Sequence, residues 1–212
     1  MDAGSGTARW IGCSRVAFAL LGLMALLWIP LREPGASGDF SIGNYLSYFT
    51  IQSAALGVGV LLVGGLRDPR GARWQLVRGA ATLYLTITGV VYAVLLADVD
   101  VMLTERWIND ILHRILPLVL ATDWVVAPVA LAVTGRVIGG WLLHPALYAV
   151  YTLVRGPLAD WYPYPFLDPR TQGYISLTMG LIVLAGVIAL LAVAVLALGG
   201  LAAHHRAPAP AS

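Results

Sequence analysis

Charged side chains are scarce in this chain: only 11% of its 212 residues are Asp, Glu, Lys or Arg, against about 25% in a typical soluble domain. A water-soluble particle of this size needs more surface charge, so the composition excludes a soluble enzyme and a disordered chain. Lysine is missing altogether, and the 13 basic residues are arginines at scattered positions. No basic stripe of the kind that binds nucleic acid is present in the sequence.

Cysteine is nearly absent as well. The single Cys13 permits no internal disulfide and no cysteine-ligated metal site. The adjacent pair His204-His205 supplies only two of the four ligands that a structural zinc ion requires. The sequence contains no phosphate-binding loop or other cofactor motif, so we expect neither a metal nor a cofactor.

Hydrophobic residues take the place of the missing charge, accounting for 59% of the chain. They form six continuous runs, each long enough for a transmembrane helix of about 20 residues, and they lack the alternation of a transmembrane barrel. Short connections join the runs, so we predict one all-α domain of six transmembrane helices over residues 1–203, followed by a short cytoplasmic tail, 204–212. The predicted spans are residues 9–31, 44–66, 75–97, 108–133, 137–155 and 174–201.

The arginines fall unequally on the two sides of such a bundle. Eight lie on the side of both termini and five on the other, so the positive-inside rule predicts cytoplasmic termini. The first span resembles a signal peptide, but its apolar region exceeds the usual length of about 7–15 residues, and we expect it to be retained. Arginine without lysine, in a chain rich in small apolar residues, is typical of a GC-rich bacterial genome and predicts a multi-pass protein of the bacterial inner membrane. The eight are Arg9, Arg15, Arg67, Arg70, Arg73, Arg78, Arg136 and Arg206; the five are Arg32, Arg106, Arg114, Arg155 and Arg170.

Four ionisable residues lie inside predicted spans, where such side chains are costly and mark candidate functional sites. Arg78 lies about one turn from the cytoplasmic end of the third span, so we interpret it as a side chain that extends to the interface. Asp123 and His144, on the fourth and fifth spans, lie at depths within about 6 Å of each other. They can form a buried pair, either as a structural hydrogen bond, which we favour, or as a proton relay.

His113, the fourth of these residues, lies at the same depth as hydroxyl groups of another span. It is about 6 Å below Asn109, which stands at the outer end of the fourth span. The second span also begins outside, so Ser47 lies about 4.5 Å deep and Thr50 one turn deeper. The topology therefore predicts that a hydroxyl and an imidazole from two helices meet just below the outer interface.

A histidine that acts as a base needs a partner that holds its ring. Asn109 and Asp110 precede His113 by four and three residues and share its helix face, so they are candidates for this role. Asp123 lies about 15 Å deeper along the same helix and cannot orient this ring.

The connection between the fifth and sixth spans, residues 160–169, has an unusual composition. Aromatic residues alternate with prolines, which predicts a rigid, extended segment. Because Trp and Tyr favour the headgroup region, the segment can anchor the protein at the interface; it can also cover the outer site as a lid. The sequence is compatible with both roles for the aromatic residues Trp161, Tyr162, Tyr164 and Phe166.

Three short segments, in this order and on these spans, give the chain a family resemblance. They are residues 45–53 on the second span, 109–113 together with Asp123 on the fourth, and 164–168 in the outer connection. With these segments the chain resembles the bacterial Pr-six-Pr family of predicted six-pass membrane proteins. It is more distantly similar to the androgen-induced and androgen-dependent membrane hydrolases of eukaryotes.

The resemblance implies a threonine hydrolase that cleaves fatty-acid esters of hydroxy fatty acids inside the membrane. Placed without gaps, the family's threonine falls on Ser47 and its histidine on His113, while its asparagine and acidic residue fall on Asn109 and Asp123. Serine replaces threonine at the nucleophile position, and the nearby Thr50 is the alternative. The implied partners are membrane lipids and a lipophilic ester.

Two hypotheses of function follow, and the sequence alone leaves open whether the protein is an enzyme. The first is an intramembrane lipid-ester hydrolase, in which His113 activates a hydroxyl of the second span. The second is a non-catalytic membrane protein, either a lipid-binding module or a small transporter, with the histidines and Asp123 as packing or proton-relay groups. Inverted repeats would favour a transporter, but the two halves of the chain do not match. The sequence identifies no protein partner.

Overall fold

The computed structural model describes residues 3–32, 40–96 and 105–206, and the regular structure in these ranges is helical throughout. Five helices are long and apolar enough to cross a membrane, which is the architecture of an all-α multi-pass membrane protein. The end of the predicted tail, residues 207–212, and the predicted end of the third span at residue 97 lie outside the described residues. The five helices are Arg9–Arg32, Phe49–Arg67, Ala72–Leu96, Gly135–Ala159 and Pro169–His205.

The described residues form eight α-helices with two π-helical segments between them. One π segment, Tyr92–Leu96, continues helix α4, and the other, Ile111–Ile115, joins α5 to α6. A single 3-10 turn, Pro165–Leu167, precedes the last helix, which bends at Gly173, where φ is 77°. The helices are α1 (Ala3–Arg32), α2 (Ile42–Leu46), α3 (Phe49–Arg67), α4 (Ala72–Val91), α5 (Arg106–Asp110), α6 (Leu116–Val126), α7 (Gly135–Ala159) and α8 (Pro169–Arg206).

The predicted second span is divided near its outer end. The short α2 ends at Leu46, and α3 begins only after Tyr48, whose backbone is extended with φ −74° and ψ 130°. Ser47 therefore lies at the junction of the two helices, whereas Thr50 lies in the first turn of α3. This break places the two candidate hydroxyls on different elements.

The predicted fourth span, residues 108–133, is helical only as far as Val126. Pro128 has no backbone N–H and disfavours a helical conformation in the residue before it, and Ala127 has φ −118° and ψ 68°. The helix therefore ends well before the predicted boundary. Because this segment is not among the five candidate membrane helices, the count of six spans stays a prediction.

Pro117 explains the π segment that carries His113. Proline cannot donate the hydrogen bond that the carbonyl of His113, four residues earlier, would accept in a regular helix, and the chain widens directly before it. Helix α4 packs closely against this place. A Cβ atom built on Gly89 would lie 3.1 Å from Cβ of Pro117 and 3.4 Å from the carbonyl oxygen of His113.

Helices α1 and α3 pack against each other through small residues. A Cβ atom built on Gly65 would lie 2.8 Å from the carbonyl oxygen of Gly12, and one built on Gly12 would lie 3.2 Å from that of Gly65. Small residues at a crossing let helix backbones approach closely, which supplies the van der Waals contact that drives helix association in lipid. Substitution of Gly65 by any larger residue would separate the two helices.

One side of the segment formed by α5, the π segment Ile111–Ile115 and α6 is buried in the bundle. Ile108, Leu112, Leu116 and Leu120 are fully buried. Helix α6 contacts α1, α3, α4 and α8. Another side of the segment stays exposed, with Leu118 at 67% and Val125 at 43%. The buried ionisable residues His113 and Asp123 lie on the protein-facing side.

Asp123 of α6 binds two arginines from two other helices. Nε of Arg15, on α1, donates to Oδ1 of Asp123 at 2.6 Å, and Nε of Arg78, on α4, donates to Oδ2 at 2.9 Å. Arg78 also donates to the main-chain oxygens of Asp123 and Ala127 at 2.6 and 2.7 Å, where α6 ends. All three charged side chains are buried, so the cluster ties α1, α4 and α6 together.

The pair of Asp123 and His144 considered above does not form: the carboxylate of Asp123 accepts its hydrogen bonds from Arg15 and Arg78. His144 instead packs against the rings of Phe49 and Tyr84, with centroids 5.5 and 4.9 Å away. The interpretation of Arg78 as a side chain that extends to the interface is also wrong, since Arg78 is only 4% exposed.

Replacing Asp123 should destabilise the fold far more than replacing Asp68, which also contacts Arg15 but has a side chain 61% exposed. We expect Asp123→Asn to lower the free energy of unfolding by about 3 kcal/mol, because two buried arginines lose their counter-charge. Asp68→Asn should cost less than about 1 kcal/mol, as exposed ion pairs do. Equilibrium unfolding in detergent micelles measures both. Equal losses in the two variants would contradict this account.

Candidate functional site

A hydroxyl and an imidazole meet where α3 begins. Oγ1 of Thr50 lies 3.1 Å from Nε2 of His113, and the two residues are only 5% and 4% exposed. The predicted contact between His113 and a hydroxyl of the second span is therefore confirmed, with Thr50 as the partner. The contact joins α3 to the π segment that Pro117 induces.

Ser47, the other candidate hydroxyl, makes different contacts. Its Oγ donates to the carbonyl oxygen of Gly43 at 2.6 Å and lies 2.7 Å from the hydroxyl of Tyr151 on α7. The reason is the break between α2 and α3, which removes Ser47 from the helix that carries Thr50. The gap-free placement of the family's nucleophile thus falls on a residue that the structure does not bring to His113.

The hydrogen bonds of His113 fix which ring nitrogen carries the proton. Nδ1 lies 3.2 Å from the main-chain carbonyl oxygen of Asn109, which can only accept a hydrogen bond. Nδ1 must therefore be protonated in the neutral ring, and Nε2 is the nitrogen that accepts the proton of the Thr50 hydroxyl. This is the tautomer that a general base needs.

Asn109 and Tyr92 hold the imidazole in place, and Asp110 does not. The ring of Tyr92, in the other π segment, stacks on that of His113 with centroids 4.4 Å apart. Nδ2 of Asn109 donates to the hydroxyl of Tyr92 at 2.6 Å. Asp110 instead accepts from Arg114 at 2.8 Å. No sequence pattern indicates the contact of Tyr92 with His113, because the π-helical geometry is what brings the two rings together.

Tyr164 of the aromatic connection completes the hydrogen bonds of Thr50. Its hydroxyl oxygen accepts from the backbone N–H of Thr50 at 3.3 Å and lies 3.2 Å from Oγ1 of that residue. Burial raises the pKa of Tyr164 above its ordinary value, so the phenol stays protonated and can donate to Oγ1. Thr50 Oγ1 therefore accepts from Tyr164 while it donates to His113.

Two of the four aromatic residues of the connection reach the site. Phe166 stacks on Tyr164, with centroids 5.3 Å apart, and lines the same cavity as Thr50 and His113. Trp161 and Tyr162 lie elsewhere: each ring stands against a guanidinium group, 5.4 and 5.0 Å from its centroid. Tyr164 and Phe166 thus cover the site, as the lid interpretation predicts, and the anchor interpretation of Trp161 and Tyr162 stays a prediction.

An ion pair fixes the end of the aromatic connection. Nε and Nη2 of Arg170 donate to Asp168 at 2.9 and 2.8 Å, and Nη1 of Arg170 contacts Asp160 at the start of the connection. These hydrogen bonds hold the pKa of Asp168 below its ordinary value, so it is charged at neutral pH. Both ends of the connection are thereby tied to one arginine, which keeps Tyr164 over Thr50.

Thr50 and His113, which we call the dyad, border a small cavity of about 60 Å³ between α3, α4, α7 and α8. Its wall is mostly aliphatic and aromatic, which is typical of sites that bind apolar ligands with a few orienting polar groups. A buried hydroxyl, a base in the required tautomer and a phenol donor around such a cavity can support nucleophilic attack on a carbonyl carbon. The polar groups at the wall are those of Thr50, Thr88, His113, Tyr148 and Tyr164.

Comparison with protein-family models, with curated proteins and with solved structures finds no match to this chain. The described residues form a site with three features: a hydroxyl next to an imidazole, a defined tautomer of that imidazole, and an apolar cavity. Any function assigned to the chain has to account for these three features together.

Proposed function

We propose that the protein is an intramembrane hydrolase of lipid esters, with Thr50 as the nucleophile and His113 as the general base. The observation that carries the proposal is the buried 3.1 Å contact between Thr50 Oγ1 and His113 Nε2. A hydroxyl is a weak nucleophile until an adjacent base removes its proton. The resemblance to membrane threonine hydrolases supports the same chemistry, with the nucleophile moved from Ser47 to Thr50.

The proposed reaction proceeds in two balanced steps. Thr50 Oγ1 attacks the ester carbonyl carbon while its proton passes to Nε2 of His113, and the same proton then goes to the leaving alkoxide, which departs as an alcohol. Water next attacks the acyl-threonine. It gives one proton to His113, which returns it to Thr50 Oγ1 as the fatty acid leaves.

Two groups can stabilise the negative charge that develops on the carbonyl oxygen. The Tyr164 phenol is a neutral donor beside Thr50, and Thr50 lies at the N-terminal end of α3, where the helix dipole favours negative charge. Tyr164 can turn its proton from Oγ1 toward the oxyanion as the attack proceeds.

We further propose that the segment Arg106–Val126 is the sixth membrane span and that both termini are cytoplasmic. Its 21 residues, counted from the two named ends, would extend about 30 Å, which is close to the hydrocarbon thickness. Neighbouring helices cover its ionisable residues His113 and Asp123, while the exposed Arg106 and Arg114 lie toward its first end. This topology puts the dyad near the outer leaflet of a bacterial inner membrane.

Serine and threonine variants assign the nucleophile. Labelling of the purified protein with a lipophilic fluorophosphonate should be lost in Thr50→Ala and kept in Ser47→Ala. His113→Ala should lower kcat/KM for a lipophilic ester by about a hundredfold or more, because the general base is gone. If the parent neither reacts with the probe nor hydrolyses an ester, the hydrolase proposal fails and a non-catalytic lipid-binding module takes its place.

The role of Tyr164 is tested with a matched tyrosine of the same connection. Tyr164→Phe should lower kcat by about a hundredfold while KM changes little, because the lost donor acts on the transition state. Tyr162→Phe, which removes a hydroxyl outside the cavity, should leave both constants unchanged. A rise in KM alone in Tyr164→Phe would assign Tyr164 to substrate binding instead.

Reporter fusions test the topology. Fusions after Arg70 and Arg136 should report the cytoplasm and a fusion after Asp168 the external side, as the eight-to-five arginine distribution predicts. The reverse pattern would move the dyad to the inner leaflet. An external signal after Arg136 together with a cytoplasmic signal after Asp168 would remove Arg106–Val126 from the list of spans.

A further inference from the structure

A second, larger cavity lies beside the dyad on the outside of the bundle. This groove, of about 540 Å³, runs between the end of α4 with its π segment on one side and α8 on the other. Apart from Gln172 and Ser176, the side chains that line it are apolar. Three of them are largely exposed: Val94 by 73%, Val183 by 63% and Met179 by 59%.

The groove and the dyad cavity share a wall. Five residues border both spaces, so the groove adjoins the cavity around Thr50 and His113. They come from α4, from the aromatic connection and from α8, the elements that also define the cavity. The shared residues are Val91, Phe166, Leu167, Leu181 and Leu184.

The surroundings of the groove restrict what can fill it. Its exposed rim belongs to helices long and apolar enough to cross a membrane, so it faces hydrocarbon rather than water. An apolar space of this kind stays dry, because it offers water too few hydrogen-bond partners. Alkyl chains are the matching occupants in a bilayer.

We infer that the groove between α4 and α8 binds the alkyl chain of the ester substrate and delivers its carbonyl group from the bilayer to Thr50. The inference rests on the proposed hydrolase and adds to it the binding site for the chain. The cavity at the dyad, about 60 Å³, is much smaller than the groove, about 540 Å³, so the groove is the neighbouring space that accommodates a long chain. The substrates are therefore esters of long-chain fatty acids that enter sideways from lipid.

Gly180 determines how much of the chain the groove admits. It lies on the groove wall of α8, and a Cβ atom built on it meets nothing within 4 Å. A large side chain at this position would project into the space reserved for the substrate. Gly186 is a matched control, because it is also exposed on α8 and a Cβ atom built on it meets nothing within 4 Å. It lies about 120° round the helix from Gly180 and does not line the groove.

Chain-length selectivity tests the groove. Gly180→Trp should lower the ratio of kcat/KM for a palmitate ester to that for a butyrate ester by about tenfold or more, because only the long chain needs the groove. Gly186→Trp should keep the ratio of the parent protein. An unchanged ratio in Gly180→Trp would overturn the inference while leaving the hydrolase proposal intact.

Photo-crosslinking tests occupancy without catalysis. A palmitate ester with a diazirine at the chain end is incubated with Thr50→Ala in liposomes and irradiated, and the adducts are mapped by mass spectrometry. We expect adducts on the groove residues Val94, Met179 and Val183, and their loss in Thr50→Ala combined with Gly180→Trp. Adducts elsewhere, or adducts unaffected by the tryptophan, would overturn the inference. Groove adducts in a protein that hydrolyses no ester would support alkyl-chain binding in the groove and contradict the proposal that the protein is a hydrolase.

Discussion

The carboxylate of Asp123 controls the position of the helices around the site, since it is the shared partner of arginines from α1 and α4. Ion pairs of this kind need several hydrogen bonds to offset the cost of removing charges from water, and Arg78 supplies them by also binding the carbonyls at the end of α6. His113 lies ten residues before Asp123 in the same helical segment. Fixing the end of α6 therefore limits how far that segment can slide or turn, and with it the place of the imidazole.

Irregular backbone, rather than regular helix, forms the chemical centre. Thr50 follows a break between two helices, and His113 and Tyr92 come from two π segments. Departures from α-helical geometry at membrane depth are tolerated where they line a cavity or are buried in protein, and π segments are frequent at functional sites. Both conditions hold for Thr50 and His113, which are buried and border the cavity.

Much of the fold could be predicted from hydrophobic run length alone, because membrane helices are selected by that one property. The rise per residue along each predicted helix also placed a hydroxyl at the depth of His113. It could not choose between Ser47 and Thr50, because the break at Tyr48 depends on local hydrogen bonds and not on hydropathy. It failed for Asp123, His144 and Arg78 because depth does not reveal which helices are neighbours. The position of Tyr92 over His113 could not be predicted from the sequence, since it depends on a widening of the helix.

The group that orients the base is a main-chain carbonyl, that of residue 109. A carbonyl belongs to every amino acid, so no single substitution can delete this part of the site, whatever it does to the asparagine side chain. A change of register acts differently: one residue added or lost between positions 109 and 113 would still leave a carbonyl four residues before the histidine, but it would turn the ring by about 100° relative to the preceding helical turn. In genetic terms, the acceptor survives missense changes, whereas small in-frame insertions and deletions change where the ring points.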